Sequence, residues 1–156
     1  MSLRRHVCTI FNGVKLAQMI KEEVRQEIKT IQQSNKSFKP KLVAIAVGNN
    51  PASKIYLQKK SEAAQFCGLD FDKIGLHSDT TELELLKLVE SLNHDSYVDG
   101  VIVQLPLPCH MREYVVCNAV NPSKDVDGFT QTNLGKLMQS VDNDGCLLYT
   151  SDAADE

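Results

Sequence analysis

Three short segments carry side chains that could transfer protons or hold a polar ring. The first contains Ser53, Tyr56 and Lys60. Tyr56 and Lys60 are four residues apart, so on a helix they share one face. A lysine beside a tyrosine at the mouth of a sheet could transfer a proton to a bound ligand. Spacing alone favours a plainer interpretation, an exposed lysine and a core-packing tyrosine, because such pairs arise by chance in many helices.

The second segment is Val-Gln-Leu-Pro-Leu-Pro over residues 103–108. Gln104 ends an otherwise apolar run, and a buried amide needs hydrogen-bond partners. Pro106 and Pro108 then fix a rigid turn that could form the wall of a pocket. An ordinary strand end, with the glutamine bonded to nearby backbone groups, explains the pattern equally well.

The third segment is Lys-Asp-Val-Asp-Gly over residues 124–128. Two carboxylates followed by a glycine resemble the start of a calcium loop, but the further oxygen ligands and closing glutamate of an EF-hand are missing. Asp127 could instead accept hydrogen bonds from a ring that bears an amino group. Composition alone favours a polar surface turn.

No metal site is predicted. The four histidines show no mutual ligand spacing, and the five cysteines include no C-x-x-C pair. Scattered cysteines in odd number are typical of reduced thiols inside a cell rather than of a disulfide framework.

Apolar periodicity and turn residues predict seven alternating elements. The helices are expected at 14–31, 52–67, from Thr81 to residue 92, and at 112–120, and the strands at 41–47, 70–77 and 100–105. Residues 122–135 are predicted to be a loop. This order predicts an α/β fold with three layers, a mostly parallel sheet covered by helices on both faces.

The predicted fold places ligands outside the carboxyl ends of its strands. Two of the three segments follow the strands at 41–47 and 100–105, so we expect the site there. No G-x-G-x-x-G follows any strand, so the dinucleotide-binding fingerprint is absent.

Composition narrows the possible partners. The chain of 156 residues is 42% hydrophobic and 24% charged, which is typical of a soluble globular domain. It contains no apolar run of the roughly 20 residues that a membrane span needs. The net charge of −3 argues against nucleic acid as the main partner.

Together and in order, the segments resemble the tetrahydrofolate dehydrogenase/cyclohydrolase family. Residues 47–60, VGNNPASKIYLQKK, resemble its first signature. Residues 100–108, GVIVQLPLP, and 122–129, PSKDVDGF, resemble its second. The similarity covers about residues 10 to 137, beginning with the FNGVKLA segment.

The resemblance implies roles for seven residues. Lys60 would be the catalytic lysine, assisting proton transfer as the one-carbon bridge between the folate's N5 and N10 opens or closes. Gln104 would hold and tune Lys60, Tyr56 would pack on the aminobenzoyl ring and bond toward the reacting centre, and Asp127 would grip the amino-pyrimidine edge of the pterin. Three further residues would line or shape the folate pocket: Ser53, Leu105 and Pro106.

The activity implied by the resemblance is the interconversion of methylene-, methenyl- and formyl-tetrahydrofolate in one-carbon metabolism, as an oxidoreductase and a hydrolase. Hydride would pass to NADP or NAD, bound by a separate dinucleotide-binding half. The full-length enzyme is expected to be a cytoplasmic, or alternatively mitochondrial, homodimer that binds neither nucleic acid nor membrane. The alternatives are a non-catalytic folate-binding module or an inactive fragment. A generic doubly wound domain such as a response regulator is disfavoured, since its acidic cluster and later lysine are not found.

The expected organisation has three parts: an N-terminal extension over 1–9, the catalytic domain over 10–145, and a tail over 146–156. The tail departs from the family pattern, which would continue with a Pro-Cys-Thr-Pro-like segment and a dinucleotide-binding domain. Its sequence, CLLYTSDAADE, is what the adapter DNA of transposase-based sequencing libraries encodes. We therefore predict that residues 146–156 are not native, and we expect no dehydrogenase activity from this chain alone.

Overall fold

The computed structural model describes residues 12–144, with side chains described up to residue 139. The predicted N-terminal extension over 1–9, the start of the family-like segment at 10–11 and the predicted adapter-derived tail over 146–156 lie outside the described residues. The elements within that range, in chain order, are α1 Gly13–Ser34, β1 Lys41–Val47, α2 Pro51–Cys67, β2 Asp70–Leu76, α3 Glu82–His94, β3 Gly100–Val103, α4 Glu113–Ala119 and α5 Gln131–Asp144.

The three strands form one parallel sheet in the order β2-β1-β3. β1 is therefore central, and its register pairs Ile45 with Ile74 of β2 and with Val103 of β3. A parallel sheet with helical connections confirms the predicted α/β fold.

Alternate residues of β1 point to opposite faces of the sheet. Val43, Ile45 and Val47 are buried in a cluster with residues of α3 and α4. Ala44 faces the other way and is buried with Leu57 of α2 and with Ile102 of β3. Helices cover both faces, as predicted, so β1 is apolar along its whole length after Lys41.

Local signals fix where α2 begins and ends. The side chain of Asn50 accepts hydrogen bonds from the first backbone N–H groups, and Pro51 occupies the first turn, where its lack of an N–H costs nothing. Gly68 ends the helix in the left-handed region with φ of 91°. These boundaries set the rotation of α2 and therefore the direction in which Tyr56 and Lys60 point.

Two charged side chains attach α4 and the chain that follows it to α3. Arg112, at the start of α4, forms an ion pair and a backbone hydrogen bond with Glu82 in the first turn of α3. Lys124 donates to the carbonyl oxygens of Leu92 and Asp95, at 2.9 and 2.6 Å, at the carboxyl end of α3. A cation there satisfies backbone acceptors that a helix leaves free.

Two predicted boundaries were wrong. Residues 131–135 were predicted as part of a loop but begin helix α5. The helix starts there because the hydroxyl of buried Thr130 accepts from Asn133 N at 3.3 Å and its carbonyl from Leu134 N at 2.9 Å. β3 ends at Val103 rather than at residue 105, although Gln104 N still donates to Ile45 O at 2.9 Å.

In the described range, no helix is both long enough and apolar enough to cross a membrane. The same residues hold no cluster of histidine, cysteine or acidic side chains suited to a metal ion.

Candidate functional site

An open groove of about 980 Å³ lies between α2, the N-terminal part of α1 and the chain that follows β3. Its lining joins two of the three sequence segments at the carboxyl edge of the sheet. The lining residues are Ala17, Lys21, Tyr56, Lys59, Lys60, Glu62, Ala63, Phe66, Leu105, Pro106 and Glu113. The predicted site residues Tyr56, Lys60, Leu105 and Pro106 all belong to this set.

Lys60 reaches across to the third segment. Its Nζ lies 3.3 Å from Oδ1 of Asp127, in the turn that precedes α5. The side chain of Lys60 is 23% exposed and that of Asp127 is 9% exposed, so the pair is largely shielded from water. In a shielded pair the desolvation of both charges offsets most of their attraction, whereas removing one partner leaves an uncompensated charge. The pair therefore holds the ammonium group of Lys60 in place at the groove.

The turn that carries Asp127 is built around Asp125. One carboxylate oxygen of Asp125 accepts from Gly128 N and Phe129 N at 3.0 and 3.2 Å. The other accepts from Thr130 N and Asn133 Nδ2 at 2.9 and 3.0 Å. Burial alone would raise the pKa of Asp125, but these hydrogen bonds outweigh it and leave the pKa below its ordinary value. Asp125 is thus an ionised carboxylate fully occupied by N–H donors.

The wall formed by Leu105 and Pro106 is held from two sides. The bond between them is a cis peptide, and both residues line the groove. The Ser53 hydroxyl donates to Leu105 O at 3.2 Å from α2. The carboxylate of Glu113 accepts from Leu107 N at 2.8 Å from α4. Ser53 is only 7% exposed, so it supports the wall from behind.

Glu113 was missed by sequence reasoning. Nothing in the sequence marks it, since an acidic residue in the first turn of a helix is expected for the helix dipole alone. Only the fold brings its carboxylate to the backbone of the wall.

Among the described residues, Gln104 has no hydrogen bond to Lys60. Its Nε2 donates to the adjacent Leu105 O at 3.0 Å, and its Oε1 is buried without a hydrogen-bond partner among the described residues. A buried acceptor without a hydrogen-bond partner is unusual, because it destabilises the folded chain. The predicted role of Gln104 in holding Lys60 therefore stays a prediction, and its free acceptor oxygen is what such a role would use.

Tyr56 lies one helical turn before Lys60 and lines the same groove, half-buried. The ammonium group of Lys59 lies 5.9 Å from the centroid of the tyrosine ring. The groove thus offers an aromatic face, an apolar wall and the ammonium group of Lys60, with the Asp127 carboxylate paired to that ammonium group. It can bind a flat, partly apolar ligand whose polar ring carries hydrogen-bond donors, and it can move a proton to or from that ligand.

The chain matches a known protein family over most of its length. The family model described as the catalytic domain of tetrahydrofolate dehydrogenase/cyclohydrolase matches residues 11–127. The matched range contains all seven residues proposed for the site.

Curated relatives and solved structures agree with this match. The chain is 43% identical over 129 residues to the bifunctional protein FolD of Acetivibrio thermocellus, covering 83% of this chain and 45% of that relative. It is 45% identical over 132 residues to FolD of Salinibacter ruber, covering 85% of this chain and 44% of the relative. A 5,10-methylenetetrahydrofolate dehydrogenase from the silkworm Bombyx mori superposes with a TM-score of 0.80 at 42% identity, covering 84% of this chain and 45% of that one. The chain therefore spans somewhat less than half the length of the relatives it matches.

Proposed function

Because the chain belongs to the tetrahydrofolate dehydrogenase/cyclohydrolase family, we propose that its groove binds a reduced folate. The protein of which it is the catalytic domain interconverts 5,10-methylene-, 5,10-methenyl- and 10-formyl-tetrahydrofolate. That protein is an oxidoreductase and a hydrolase of one-carbon metabolism.

The pairing of Lys60 with Asp127 at 3.3 Å is the observation that carries this proposal. It joins the first and third sequence segments, which lie on different elements, at a groove that the second segment also lines. The three segments resemble the family together and in order, and their proximity supports a shared role.

Asp127 is the proposed anchor for the pterin. An ionised carboxylate accepts hydrogen bonds only, so it suits a pyrimidine edge that presents an amino group and a ring N–H. Because Asp127 accepts a hydrogen bond from Lys60, an incoming ring would take over part of that interaction. Ligand binding would thereby release the ammonium group of Lys60 toward the reacting atoms.

Lys60 is the proposed proton-transfer residue of the hydrolase step. Water adds to the carbon that bridges N5 and N10 and gives up a proton. The bond from this carbon to N5 then breaks as the hydroxyl group left by the water loses its proton and becomes the carbonyl of a formyl group on N10. N5 gains one proton, so of the two protons given up one is released overall. Lys60 would shuttle these protons, and Gln104 would offer its free Oε1 to the lysine.

The remaining groove residues position the substrate. Tyr56 would pack on the aminobenzoyl ring, whose flat face matches its own. Leu105 and Pro106 would cover the ring system from the opposite wall, and Ser53 would keep that wall in place.

The turn between β1 and α2 does not fit the pyrophosphate of a dinucleotide. The turn between β1 and α2 reads Gly-Asn-Asn-Pro over 48–51, so its proline removes a backbone N–H where a pyrophosphate would bind. We propose that the hydride acceptor, NADP or NAD, binds in the dinucleotide-binding half of the longer enzyme. A Trypanosoma brucei relative, 25% identical, was solved with NADP and an inhibitor.

The proposed cellular location is based on the relatives. One relative from Schizosaccharomyces pombe is named as cytoplasmic and one from Gallus gallus as mitochondrial. We propose a cytoplasmic enzyme, with a mitochondrial one as the alternative. We propose a homodimer for the full-length enzyme, with a small-molecule folate as its substrate.

Turnover of 5,10-methenyltetrahydrofolate tests the proposal, since this step needs no dinucleotide. Loss of the methenyl absorbance on adding the chain, abolished by Lys60→Met, is the expected result. Lys54→Met is the matched control, because Lys54 is an exposed lysine of the same helix outside the groove. Folate binding without turnover would favour the second candidate, a non-catalytic binding module, and equal rates in both variants would refute the role of Lys60.

A further inference from the structure

Two carboxylates, those of Asp125 and Asp127, lie two residues apart in the turn before α5. Asp127 pairs with Lys60 at 3.3 Å. Asp125 accepts four hydrogen bonds, all between 2.9 and 3.2 Å, from the backbone of residues 128–130 and from Asn133. The ion pair of Lys60 is thus with Asp127, whereas the oxygens of Asp125 accept from N–H donors.

The hydrogen bonds of Asp125 fix the path of the chain around Asp127. They join the residue two positions before Asp127 to the three residues that follow it. Gly128 makes this possible by adopting φ of +71°, a conformation that other residues rarely adopt. With both sides of the turn tied to one side chain, the direction of Asp127 is set by the backbone.

The start of the turn is also anchored. Val101 N donates to Lys124 O at 2.7 Å, and Val101 and Asp125 form a parallel bridge beside β3. The Lys124 ammonium group bonds two carbonyls at the end of α3. The turn is thereby held at the sheet edge by residue 124 and folded back on itself by residue 125.

We propose that Asp125 is a positioning residue of the folate site, which sets Asp127 within reach of Lys60 without touching the substrate. The proposal rests on the function proposed above for Asp127. Its physical content is a division of roles, in which the charge of Asp125 is used by N–H donors and the charge of Asp127 is paired with Lys60, which lines the groove.

Asp125→Asn is the decisive variant. An amide keeps the side chain's shape and one acceptor oxygen, but it turns an NH₂ group toward two of the four donors. We expect the turn to loosen and Asp127 to move away from Lys60. The chemical shift of the Lys60 Nζ nucleus in the ligand-free chain should then move toward its value in Asp127→Asn.

A double-mutant cycle separates positioning from general destabilisation. In the Asp127→Asn background, Asp125→Asn should move the Lys60 signal no further, because the residue through which it acts is already changed. Binding of 5-formyltetrahydrofolate should weaken by roughly tenfold in Asp125→Asn and show the same non-additivity.

Asn93→Ala is the matched control. Asn93 anchors the preceding stretch of chain through Asn121 N and Ala119 O, both at 2.8 Å, and neither of these hydrogen bonds involves residues 125–130. It should lower the melting temperature and leave the Lys60 signal in place. Equal displacement of that signal in Asn93→Ala and Asp125→Asn would overturn the proposal, as would an unmoved signal in a folded Asp125→Asn chain.

If Asp125→Asn does not fold, Asn133→Ala replaces it, since it removes one of the four donors and leaves both carboxylates. A smaller displacement of the Lys60 signal in the same direction supports the proposal, and no displacement overturns it. The signal is measured without folate, so a failure of the proposed function would appear separately, as a chain with the predicted Lys60 response but no folate binding.

Discussion

Nζ of Lys60 on α2 lies 3.3 Å from Oδ1 of Asp127 in the turn before α5, although 67 positions separate the two residues in the chain. β1 and β3 are neighbours in the sheet, and the bridge between Val101 and Asp125 holds the Asp127 turn beside β3. The contact brings the proposed proton-transfer group and the proposed pterin anchor together.

Asp127→Asn should weaken the binding of 5-formyltetrahydrofolate by about tenfold to a hundredfold. The amide keeps the size of the side chain but loses the charge-assisted hydrogen bonds, worth about 1.5–3 kcal/mol. Isothermal titration of the chain measures the loss. Asp79→Asn is the charge-matched control, because Asp79 is 86% exposed and lies outside the groove, and an equal loss in both variants would count against a specific anchor.

Glu113→Ala should loosen the wall of the groove. It leaves Leu107 N without its acceptor, at a cost of about 1–3 kcal/mol to stability for a buried donor. Glu113→Gln keeps an acceptor oxygen and should recover most of both the stability and the folate affinity. Thermal melts and folate titrations of the two variants check this, and a glutamine variant as weak as the alanine variant would show that the charge, not the hydrogen bond, is what matters.

Gly100→Ala should destabilise the chain and disturb the Asp127 turn together. A Cβ at this position would lie 2.6 Å from Cγ2 of Val126 and 2.8 Å from Cδ1 of Leu42, so the side chains must shift. Such overpacking costs about 1–3 kcal/mol. Gly75→Ala is the control on another strand, because nothing lies within 4 Å of its added Cβ. Similar denaturant midpoints for the two variants would contradict the packing at β3.

The ion pair between Glu82 and Arg112 should make stability depend on pH in the acid range. Side-chain and backbone hydrogen bonds from Arg112 lower the pKa of Glu82 from 4.5 to about 2. A depressed carboxylate pKa contributes stability above its unfolded value, and that contribution is lost as the pH falls from about 4.5 through about 2. The melting-temperature difference between the parent chain and Glu82→Gln should stay constant near neutral pH and shrink below pH 4.5. A difference that grows with acidity would reverse the sign expected for this pair.

The sequence predicted those elements whose bounds depend on residues close together in the chain. The bounds of β1 follow from an apolar run between a proline and a glycine, and α2 follows from its asparagine cap and closing glycine. The shared helix face of Tyr56 and Lys60 required only the helical period.

The rest of the site depends on contacts distant in sequence. The four N–H partners of Asp125 and the bond from Glu113 to Leu107 exist only once the turns are folded, so sequence spacing gave no sign of them. Gln104 shows the opposite case. Its place next to a strand end could be predicted, but its buried Oε1 has no partner among the described residues, so its function stays a prediction.

Chemical-shift mapping of the chain with 5-formyltetrahydrofolate tests the central claim most directly, because it locates the folate without assuming a reaction. The perturbed backbone and side-chain signals should cluster on Tyr56, Lys60, Leu105 and Asp127, and the Lys60 signal should move as the pterin takes over its carboxylate partner. Saturable binding with perturbations confined to another face of the sheet, and an unmoved Lys60 signal, would contradict a folate site in this groove.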